Sequence, residues 1–454
     1  MNIQTQSALA LVFTLSVVLT GCQKPGRSSP VNFRHLEHLT ERITLAGEKV
    51  SIVHIYANFP DYKWFAAKES GPEGIACVDD AARAAVLYLR DFELNGRKES
   101  LVQARGLLDF VLAMQAPDGE FWNFIHGDHS VNRDGRTSIK SFGWWAARGI
   151  WSLGIGCRVF RESDTAYAAR LGRAVERSLP HVQALLRTYG RTKREAGYVT
   201  PTWLLYGSGA DATSELTLGL IEYYRVAPSP ELREMIVRLA GGFMAMQEGD
   251  LATFPYGLHR SWETLWHLWG NSQTQALATA GRVLVDSAMI NSARREAEGF
   301  YPRLLAEGLL RQMDLVNPRT RMEFDQIAYG IRPMAVGLLR LYEATGNADY
   351  LRMAGLTASW LFGNNPAGIV MYDSLTGRCF DGILSKSEVN RNSGAESTIE
   401  ALMTLVELEA YPEALRYCRF TRERSDSLRA DFVSPAGERT ALCLDPAGKR
   451  FWFE

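Results

Sequence analysis

Apolar residues between about residues 31 and 425 recur at helical spacing, which predicts helices through nearly all of this stretch. The predicted helices are of two alternating kinds. One kind begins with polar, aromatic or glycine residues and continues into small and apolar residues. The other kind carries a charged stripe opposite an apolar stripe, as helices do when only one face is buried. Helices of this second kind are predicted within residues 99–108, 164–171, 230–237, 291–309, 346–354 and 411–422.

The helices of the first kind are six in number and similarly spaced. When one residue marks each beginning, successive marks are 62, 73, 56, 56 and 68 residues apart, with a mean of 63. Six such helices alternating with six amphipathic ones predict an all-α (α/α)6 toroid, because each helical hairpin buries its face only against its neighbours. The marks are Asp79, Ser141, Ser214, Gly270, Gln326 and Gly394.

Three long loops, 116–140, 189–209 and 364–391, each precede a predicted inner helix and therefore gather on one rim of the toroid. Long loops on a rigid scaffold commonly carry binding and catalytic residues. The tail differs, because residues 440–444 and 450–453 have strand patterns around an Asp-Pro-Ala-Gly turn, which predicts a closing β-hairpin. The expected division is a toroid over residues 31–425 and a hairpin tail over 426–454.

The N-terminus has the pattern of an export signal. Residues 8–19 form an apolar run too short to span a bilayer and typical of a signal-peptide core. The run ends in Leu-Thr-Gly-Cys, which resembles the bacterial lipobox, where the cysteine is lipidated. This resemblance implies a lipid on Cys22 and a place in the cell envelope, at the outer membrane if the cell has one. A buried N-terminal strand is the alternative. The implied segments are a signal peptide over 1–21 and a tether over 22–30.

Composition excludes several classes of function. The chain has 454 residues, 50 Lys and Arg, 51 Asp and Glu, and a net charge of −1. A nearly neutral chain is not expected to bind nucleic acid generally. No P-loop, nucleophile-elbow or dinucleotide-binding glycine pattern occurs in a suitable context, so no cofactor is expected. His126-Gly-Asp-His129 has loose spacing and favours a polar loop over a metal site, so no metal is expected either.

Carboxylates concentrate where the predicted inner helices begin. Glycoside hydrolysis needs two, one as acid and one as base or nucleophile. A carboxylate at a helix N-terminus keeps its charge readily, which favours the base role for Asp79 or Asp80. The alternative is that both are helix caps. The candidate carboxylates are Asp79, Asp80, Glu215, Asp325 and Glu396, with Asp373 and Asp381 in the loop before the last inner helix.

Aromatic residues concentrate near the same beginnings. Flat aromatic faces pack against the C–H faces of sugar rings, so this distribution favours a carbohydrate cleft over mere filling of a large core. Tyr372 is expected to face this cleft from loop 364–391, together with Asp373 and Asp381. The other candidates are Trp122 with its neighbour Asn123, Trp144, Trp145, Trp203, Tyr206, Trp262, Trp266, Trp269 and Tyr329.

Short segments near the C-terminus carry a family resemblance. Ser-Trp-Leu-Phe-Gly-Asn-Asn-Pro-Ala-Gly at 359–368, Tyr372-Asp373, and Asn-Ser-Gly-Ala-Glu-Ser-Thr-Ile-Glu at 392–400 resemble six-hairpin glycosidases, most closely family 9 glycoside hydrolases. There, a Gly-x-Asn-Pro turn precedes a final inner helix that starts near an Asn, here Asn392, and carries the catalytic acid.

That resemblance implies a set of roles for the chain. Glu396 is implied as the general acid. Val-Asp-Asp-Ala-Ala-Arg at 78–83 is similar to the family's early Asp-rich motif, so Asp80, or Asp79, is implied to activate water.

Three functions stay open at this point. The first is an inverting glycoside hydrolase acting on a poly- or oligosaccharide. The second is a polysaccharide lyase or sugar epimerase, in which Tyr329, His126 or His267 would move a proton from carbon. The third is a glycan-binding envelope lipoprotein without catalysis, in which the carboxylates only cap helices.

Overall fold

The computed structural model of the protein describes residues 29–68, 71, 73–317, 320–445, 447 and 450–454. The expected signal peptide and Cys22 lie outside the described residues, as does most of the tether. In the described part of the chain, no helix is long and apolar enough to cross a membrane.

Helices form most of the regular structure. Fourteen α-helices are present among the described residues, and a 3-10 turn at Ser359–Leu361 follows the twelfth. They are α1 (Arg34–Leu39), α2 (Val78–Asn95), α3 (Lys98–Ala113), α4 (Trp144–Val159), α5 (Thr165–Leu186), α6 (Ala210–Tyr224), α7 (Pro230–Met244), α8 (Gln273–Leu284), α9 (Ser287–Gly299), α10 (Tyr301–Glu307), α11 (Ala328–Thr345), α12 (Asp349–Ala358), α13 (Ala395–Glu409) and α14 (Pro412–Tyr417).

Six helices, α2, α4, α6, α8, α11 and α13, contact one another in chain order, and α13 contacts α2. Each begins within a few residues of one of the six polar clusters that the sequence marks. Their composition explains the close packing. At Gly154 on α4, an added Cβ would lie 2.3 Å from the carbonyl oxygen of Gly219 on α6. Only glycine allows the two backbones to approach this closely.

The remaining long helices pack outside this ring. Each contacts the inner helix that precedes it, as in the pairs α2–α3, α4–α5, α6–α7, α8–α9 and α11–α12, and α14 contacts both α12 and α13. Side-chain caps set where several begin: Asp164 accepts from the backbone N–H of Tyr167 at α5, and Ser229 accepts from Leu232 at α7. The arrangement gives two layers of helices around one core.

Short strands occupy the loops and both ends of the described chain. All pairs are antiparallel. The strands are β1 (Thr40–Leu45), β2 (Glu48–Val53), β3 (Tyr56–Asn58), β4 (Lys63–Phe65), β5 (Ala76–Cys77), β6 (Phe124–Ile125), β7 (Thr192–Glu195), β8 (Tyr198–Pro201), β9 (Gln247–Glu248), β10 (Leu258–His259), β11 (Leu265–His267), β12 (Gln312–Asp314), β13 (Tyr372–Asp373), β14 (Arg378–Cys379), β15 (Gly382–Ser385), β16 (Glu388–Asn390), β17 (Thr421–Ser425), β18 (Arg429–Val433), β19 (Arg439–Leu444) and β20 (Phe451–Phe453).

The N-terminal strands differ from the helical expectation. Residues 40–65 form two hairpins, β1–β2 and β3–β4, where the sequence pattern predicts helix from residue 31 onward. Ile43 and Leu45, two residues apart, are both buried on one face of β1. Burial of every second residue is the spacing of a strand rather than of a helix. The β2 strand then packs on the outer helix α3 and covers it.

The C-terminal tail is a four-stranded sheet in the order β17-β18-β19-β20. The expected hairpin corresponds to the pair β19–β20, with Leu442 opposite Phe453. The sheet begins at Thr421, so the last outer helix ends at Tyr417, earlier than the pattern over 411–422 indicates. Arg422 connects the sheet to α10 by donating from Nη1 to the carbonyl of Ala306 at 2.8 Å.

Candidate active-site cleft

A cavity of about 660 Å³ opens where the inner helices begin. A second cavity, of about 370 Å³, shares five lining residues with it and extends it sideways. The two together are called the cleft below. Side chains from the first turns of α2, α4, α6, α11 and α13 line it, and β11 contributes from the segment before α8. The shared residues are Asp79, Arg148, Ile327, Tyr329 and Glu396.

Two carboxylates from opposite ends of the chain meet in this cleft. Glu396, in the first turn of α13, has a side chain 43% exposed and accepts from Arg83 Nη1 at 3.1 Å. Asp79, in the first turn of α2, is 17% exposed and accepts from Arg148 Nη1 at 2.7 Å. Asn123 also donates to Asp79, at 3.0 Å. Each carboxylate is therefore held by its own arginine and still faces the cleft.

Asp80 occupies a different environment from its neighbour. Its side chain is 5% exposed and forms a 2.6 Å ion pair with Arg83 Nη2, while the Cys77 thiol donates to its other oxygen. Burial raises the pKa of Asp80, and the Arg83 charge only partly opposes this. A buried, paired carboxylate is poorly placed to meet a water molecule in the cleft. Of the two aspartates, Asp79 is the one with access to a ligand.

Beneath the cleft lies a buried network of ion pairs. Arg148 Nε bonds Glu215 at 2.9 Å, and Arg332 bonds both Glu215, at 3.2 Å, and Glu400, at 2.7 Å. Arg83 closes the network by pairing with Glu400 at 3.1 Å. These residues come from α2, α4, α6, α11 and α13, so the network joins five inner helices at one level.

The pKa values of the two buried carboxylates in this network are shifted in opposite directions. Burial alone would raise the pKa of Glu215, but Arg148, Arg332 and Arg83 together lower it. For Glu400 burial prevails, and its pKa is raised despite Arg332 and Arg83. Glu215 was a candidate for substrate binding, but its side chain is fully buried, so it supports the cleft floor rather than lining the cleft.

Tyr329 connects this floor to the cleft. Its hydroxyl donates to Glu215 Oε1 at 3.0 Å and accepts from Arg148 Nη2 at 2.5 Å. Burial raises its pKa well above the usual value for tyrosine. The phenol is thereby held neutral and already bonded on both sides, which makes it a poor proton acceptor from a substrate.

Tryptophans form the walls of the cleft. Trp144, Trp145, Trp262 and Trp269 all line it and are half-buried. Trp145 is fixed by donating from Nε1 to the carbonyl of Phe121 at 2.7 Å. The guanidinium of Arg148 lies 4.8 Å from the ring centre of Trp144, so the wall and the floor of the cleft are in contact.

His267 lines the cleft with both ring nitrogens engaged. Nδ1 lies 2.7 Å from the carbonyl oxygen of Trp269, and Nε2 lies 2.9 Å from Asp211 Oδ2. The imidazole also stacks on the Trp269 ring, with centres 3.6 Å apart. Burial raises the pKa of Asp211, with His267 opposing that shift. The pair fixes the position of Trp269 in the wall.

Eight of the candidate carboxylate, amide and aromatic residues do not line the cleft in the described structure. Trp203 is buried and donates from Nε1 to the carbonyl of Arg238, and Tyr206 is 51% exposed beside Trp262. Trp266 is buried against Phe300, Trp122 lies under Arg133, and Glu215 lies below the floor. Tyr372 is buried, and its hydroxyl bonds the backbone of Pro30 and Asn32 rather than facing the cleft. Asp373 is exposed and caps its own turn through Leu375, and Asn392 accepts from the backbone of Phe59.

The remaining candidate carboxylates and aromatic residues line the cleft, as does Asn123. Asp325 stands at its edge, 48% exposed and 3.3 Å from Arg311. Asn123 positions Asp79, and Asp381 faces Glu396 from the loop before α13. Of loop 364–391, therefore, Asp381 contributes to the cleft wall, whereas Tyr372 and Asp373 fasten the loop to the N-terminal segment and to itself.

The charge of the cleft is acidic. Among its described lining residues, seven carboxylates face three arginines. Each of these arginines already has a carboxylate partner. The carboxylates are Glu73, Asp79, Asp80, Asp211, Asp325, Asp381 and Glu396, and the arginines are Arg83, Arg148 and Arg311.

The described residues offer little for a metal. No group of three or more His, Cys, Asp or Glu among them is arranged to hold an ion. His126 and His129 lie in a surface turn in which Asp128 accepts from Ser130. All five cysteines in the described part of the chain are free thiols.

Asp381 makes a pH-dependent contribution to the free energy of unfolding of the protein. It accepts from Gly394 N at 2.7 Å and from Ser397 Oγ at 2.5 Å, which holds the start of α13. Burial, with Glu396 and Asp80 nearby, raises its pKa to about 6 from 3.8. Between these values the folded protein holds a proton that the unfolded chain releases. This contribution to stability is therefore present at low pH and is lost as the pH rises to about 6.

Asp381→Asn is expected to remove that pH dependence, because asparagine keeps the accepting oxygen without the charge. Relative to wild type, the variant should gain up to about 3 kcal/mol in free energy of unfolding between pH 4 and pH 7. Urea unfolding at both pH values measures this. Asp373→Asn, on the same loop but exposed, is the control. Parallel pH profiles for wild type and Asp381→Asn would contradict the assignment.

Comparison with known proteins shows the fold. No family model and no curated protein matches the sequence. Among solved structures, a sugar epimerase from a ruminal bacterium aligns with a TM-score of 0.55 and 12% identity, over 79% of this chain and 92% of that one. A D-mannose isomerase aligns with a TM-score of 0.53 and 10% identity, over 79% and 91%.

A Zn-binding triple mutant of the family 9 endoglucanase J30 aligns with a TM-score of 0.49 and 16% identity, over 83% of each chain. The chain shares the (α/α)6 type of fold with the epimerase and the isomerase.

Proposed function

We propose that the protein is a carbohydrate-active enzyme built on a closed (α/α)6 toroid, and that it hydrolyses glycosidic bonds. One observation carries the proposal: Asp79 and Glu396 face the same cleft from α2 and α13, each held by a separate arginine. Two carboxylates on either side of a bound sugar are what glycoside hydrolysis requires. The tryptophan walls suit the apolar faces of sugar rings.

In this mechanism Glu396 protonates the leaving oxygen and Asp79 activates water. The more exposed side chain of Glu396 can reach a glycosidic oxygen in the cleft. Asp79 receives one hydrogen bond on each oxygen, from Arg148 and Asn123, which fixes its orientation and leaves lone pairs for water. Inversion needs the two carboxyl groups roughly 6.5–9.5 Å apart, with the water between them.

The charge of the cleft argues against a uronate lyase. Such an enzyme must neutralise the substrate carboxylate before it removes the neighbouring proton. Arg83, Arg148 and Arg311 are all paired with protein carboxylates, and acidic groups predominate among the described lining residues. Like charges would therefore repel a polyuronate chain.

A sugar epimerase or isomerase is the second candidate. It is favoured by His267, a titratable ring beside Trp269 in the cleft, and by the functions named for two neighbours of the same fold. Against it, both nitrogens of His267 are already engaged by Asp211 and by the Trp269 carbonyl. Proton transfer to and from carbon would need this pair to separate.

One assay separates these functions. The wild-type protein is incubated in D₂O with β-glucan, xylan and mannan, and separately with cellobiose and mannose, and the products are followed by NMR. A new reducing end of inverted configuration supports the hydrolase, and deuterium at carbon 2 of a reducing sugar supports the epimerase. Asp79→Asn and Glu396→Gln should abolish the first reaction. Glycan binding without any turnover would identify a binding protein instead.

Attachment to the membrane through a lipid on Cys22 is a further part of the proposal. Cys22→Ser removes the only thiol of the Leu-Thr-Gly-Cys motif, so the protein should move from the membrane fraction to the soluble fraction. Fractionation and immunoblotting measure the distribution, and Lys24→Ser, two residues away, is the matched control. If the Cys22→Ser protein stays with membranes to the same extent as wild type, the anchor lies elsewhere.

A further inference from the structure

The hairpin β3–β4 presents aromatic side chains beside the cleft. Tyr56 and Phe65 are opposite each other in the register, and their rings stack with centres 5.0 Å apart. Tyr56 lines the cleft, and Phe65 is 38% exposed. The stack therefore continues the cleft wall outward onto the surface. Contiguous exposed apolar groups are typical of ligand-binding grooves.

This hairpin is fastened to the segment that carries Glu396. Ser393 N donates to the carbonyl of Ala57 at 3.2 Å, and Ala395 N donates to that of Ile55 at 2.8 Å. The amide of Phe59, at the hairpin tip, donates to Asn392 at 3.0 Å. These three bonds hold residues 392–395, directly before Glu396. The aromatic stack therefore has a fixed position relative to the proposed acid.

A second aromatic surface adjoins a different wall of the cleft. The Tyr206 ring is 51% exposed and lies 5.7 Å from that of Trp262, which lines the cleft. The backbone amide of Trp144 donates to the Tyr206 hydroxyl at 2.8 Å, which fixes the ring beside the wall. The Tyr206 backbone has φ of 58°, a left-handed conformation that is uncommon for a bulky residue.

We propose that the cleft takes a polysaccharide of uncharged sugars, with chain units packing on the Tyr56–Phe65 stack and on the Tyr206–Trp262 pair, which extend from the cleft lining to the surface beside it. This inference rests on the proposed function and adds its substrate class. A small sugar confined to the cleft would not touch Phe65 or Tyr206, and uncharged units suit a lining dominated by carboxylates.

The hairpin supplies a matched pair of variants. Trp64 is 41% exposed, close to the 38% of Phe65, but pairs with Ala57 and therefore lies on the opposite face, stacked on His54. Phe65→Ala should weaken polysaccharide binding about tenfold, which corresponds to about 1.4 kcal/mol for the lost aromatic contact. Trp64→Ala should leave it unchanged.

Binding is measured by affinity electrophoresis in gels containing β-glucan, xylan, mannan or polygalacturonate, with Glu396→Gln present in every protein to prevent turnover. Cellobiose, xylobiose and mannobiose are titrated by calorimetry. The proposal is supported if at least one uncharged polymer retards the protein and if Phe65→Ala, but not Trp64→Ala, loses this retardation. Disaccharide binding should be the same in all the proteins. Equal effects of the two hairpin variants, tighter binding of polygalacturonate, or no retardation by any uncharged polymer would overturn the proposal.

The result is separable from that of the proposed function. Polymer binding that depends on Phe65 in a protein whose wild type cleaves nothing would support the substrate class and refute the hydrolase. If the protein cleaves polymers and disaccharides at rates that neither Phe65→Ala nor Trp64→Ala changes, the hydrolase is supported and the proposed aromatic contacts with the polymer are refuted. Thermal unfolding of both variants checks that each is folded.

Discussion

Replacing Glu396 by glutamine is expected to lower the rate of glycan cleavage about 10³-fold, the scale on which a positioned general acid contributes. Glutamine has nearly the shape of glutamate but cannot give a proton to the leaving oxygen. The folded state should be almost unaffected. Glu396 is 43% exposed, so its pair with Arg83 is screened by solvent, and Arg83 keeps Asp80 and Glu400 as partners.

The dependence on the leaving group distinguishes the roles of the two carboxylates. A nitrophenyl glycoside departs with little help from an acid, so Glu396→Gln should lose much less activity on it than on a polysaccharide. Asp79→Asn should lose similar activity on both, because water must be activated in either case. Initial rates on both substrates measure this. Glu388→Gln, exposed on β16 just before α13, is the control. Equal losses by Glu396→Gln on both substrates would contradict the acid role.

The sequence predicts the helices well because a repeated local pattern determines them. Each of the six polar clusters, such as those at Asp79 and Gly394, lies at the start of one helix of the contacting ring. The interval of about 63 residues requires a two-helix unit, and the glycines on α4 and α6 permit its close packing. The pattern does not predict the strands within residues 40–65, since short amphipathic strands next to helices resemble short helical segments.

The site is harder to predict, because it depends on which side chain faces which space. Asp79 and Asp80 are adjacent, yet helical geometry turns Asp79 toward the cleft and Asp80 toward Arg83, one turn along α2. Arg83 and Arg148 stand within the clusters themselves, five and four residues after the first residues of α2 and α4. The i,i+3 spacing of Asp80 and Arg83 is a signal that could have identified that pair. The partners of Arg148, which are Asp79 and Glu215, lie on other helices, so no local spacing indicates them.

Loop 364–391 shows a second limit of prediction from sequence, which is that long-range contacts decide where side chains point. Its aromatic and acidic residues resemble those of a cleft wall, but Tyr372 is oriented by the backbone of Pro30 and Asn32, more than 300 residues away. No local pattern contains that contact. Asp381, in contrast, is held by the start of the next helix through Gly394 and Ser397, a short-range relation that places it beside Glu396.

Arg332→Met is expected to have the largest effect on stability, about 3–5 kcal/mol in free energy of unfolding, because it removes one partner from a fully buried ion-pair network. Arg332 is 0% exposed and bonds Glu215 and Glu400, and it also donates to Gln275 on α8. Methionine fills much of the volume but leaves two buried carboxylates with less compensation. Urea unfolding monitored by circular dichroism measures the loss. Arg294→Met, on α9 with its arginine 45% exposed, should cost less than about 1 kcal/mol.

Two further measurements separate charge burial from packing in this variant. Glu400 already has a raised pKa because of burial, and loss of Arg332 should raise it more. A raised carboxylate pKa favours the folded state at low pH, so Arg332→Met should be less destabilised at pH 4.5 than at pH 7. The double variant Arg332→Met/Glu400→Gln should recover at least about 1 kcal/mol at pH 7, since neighbouring sites are coupled. Equal losses at both pH values, without recovery in the double variant, would mean that Arg332 stabilises the folded protein by packing alone.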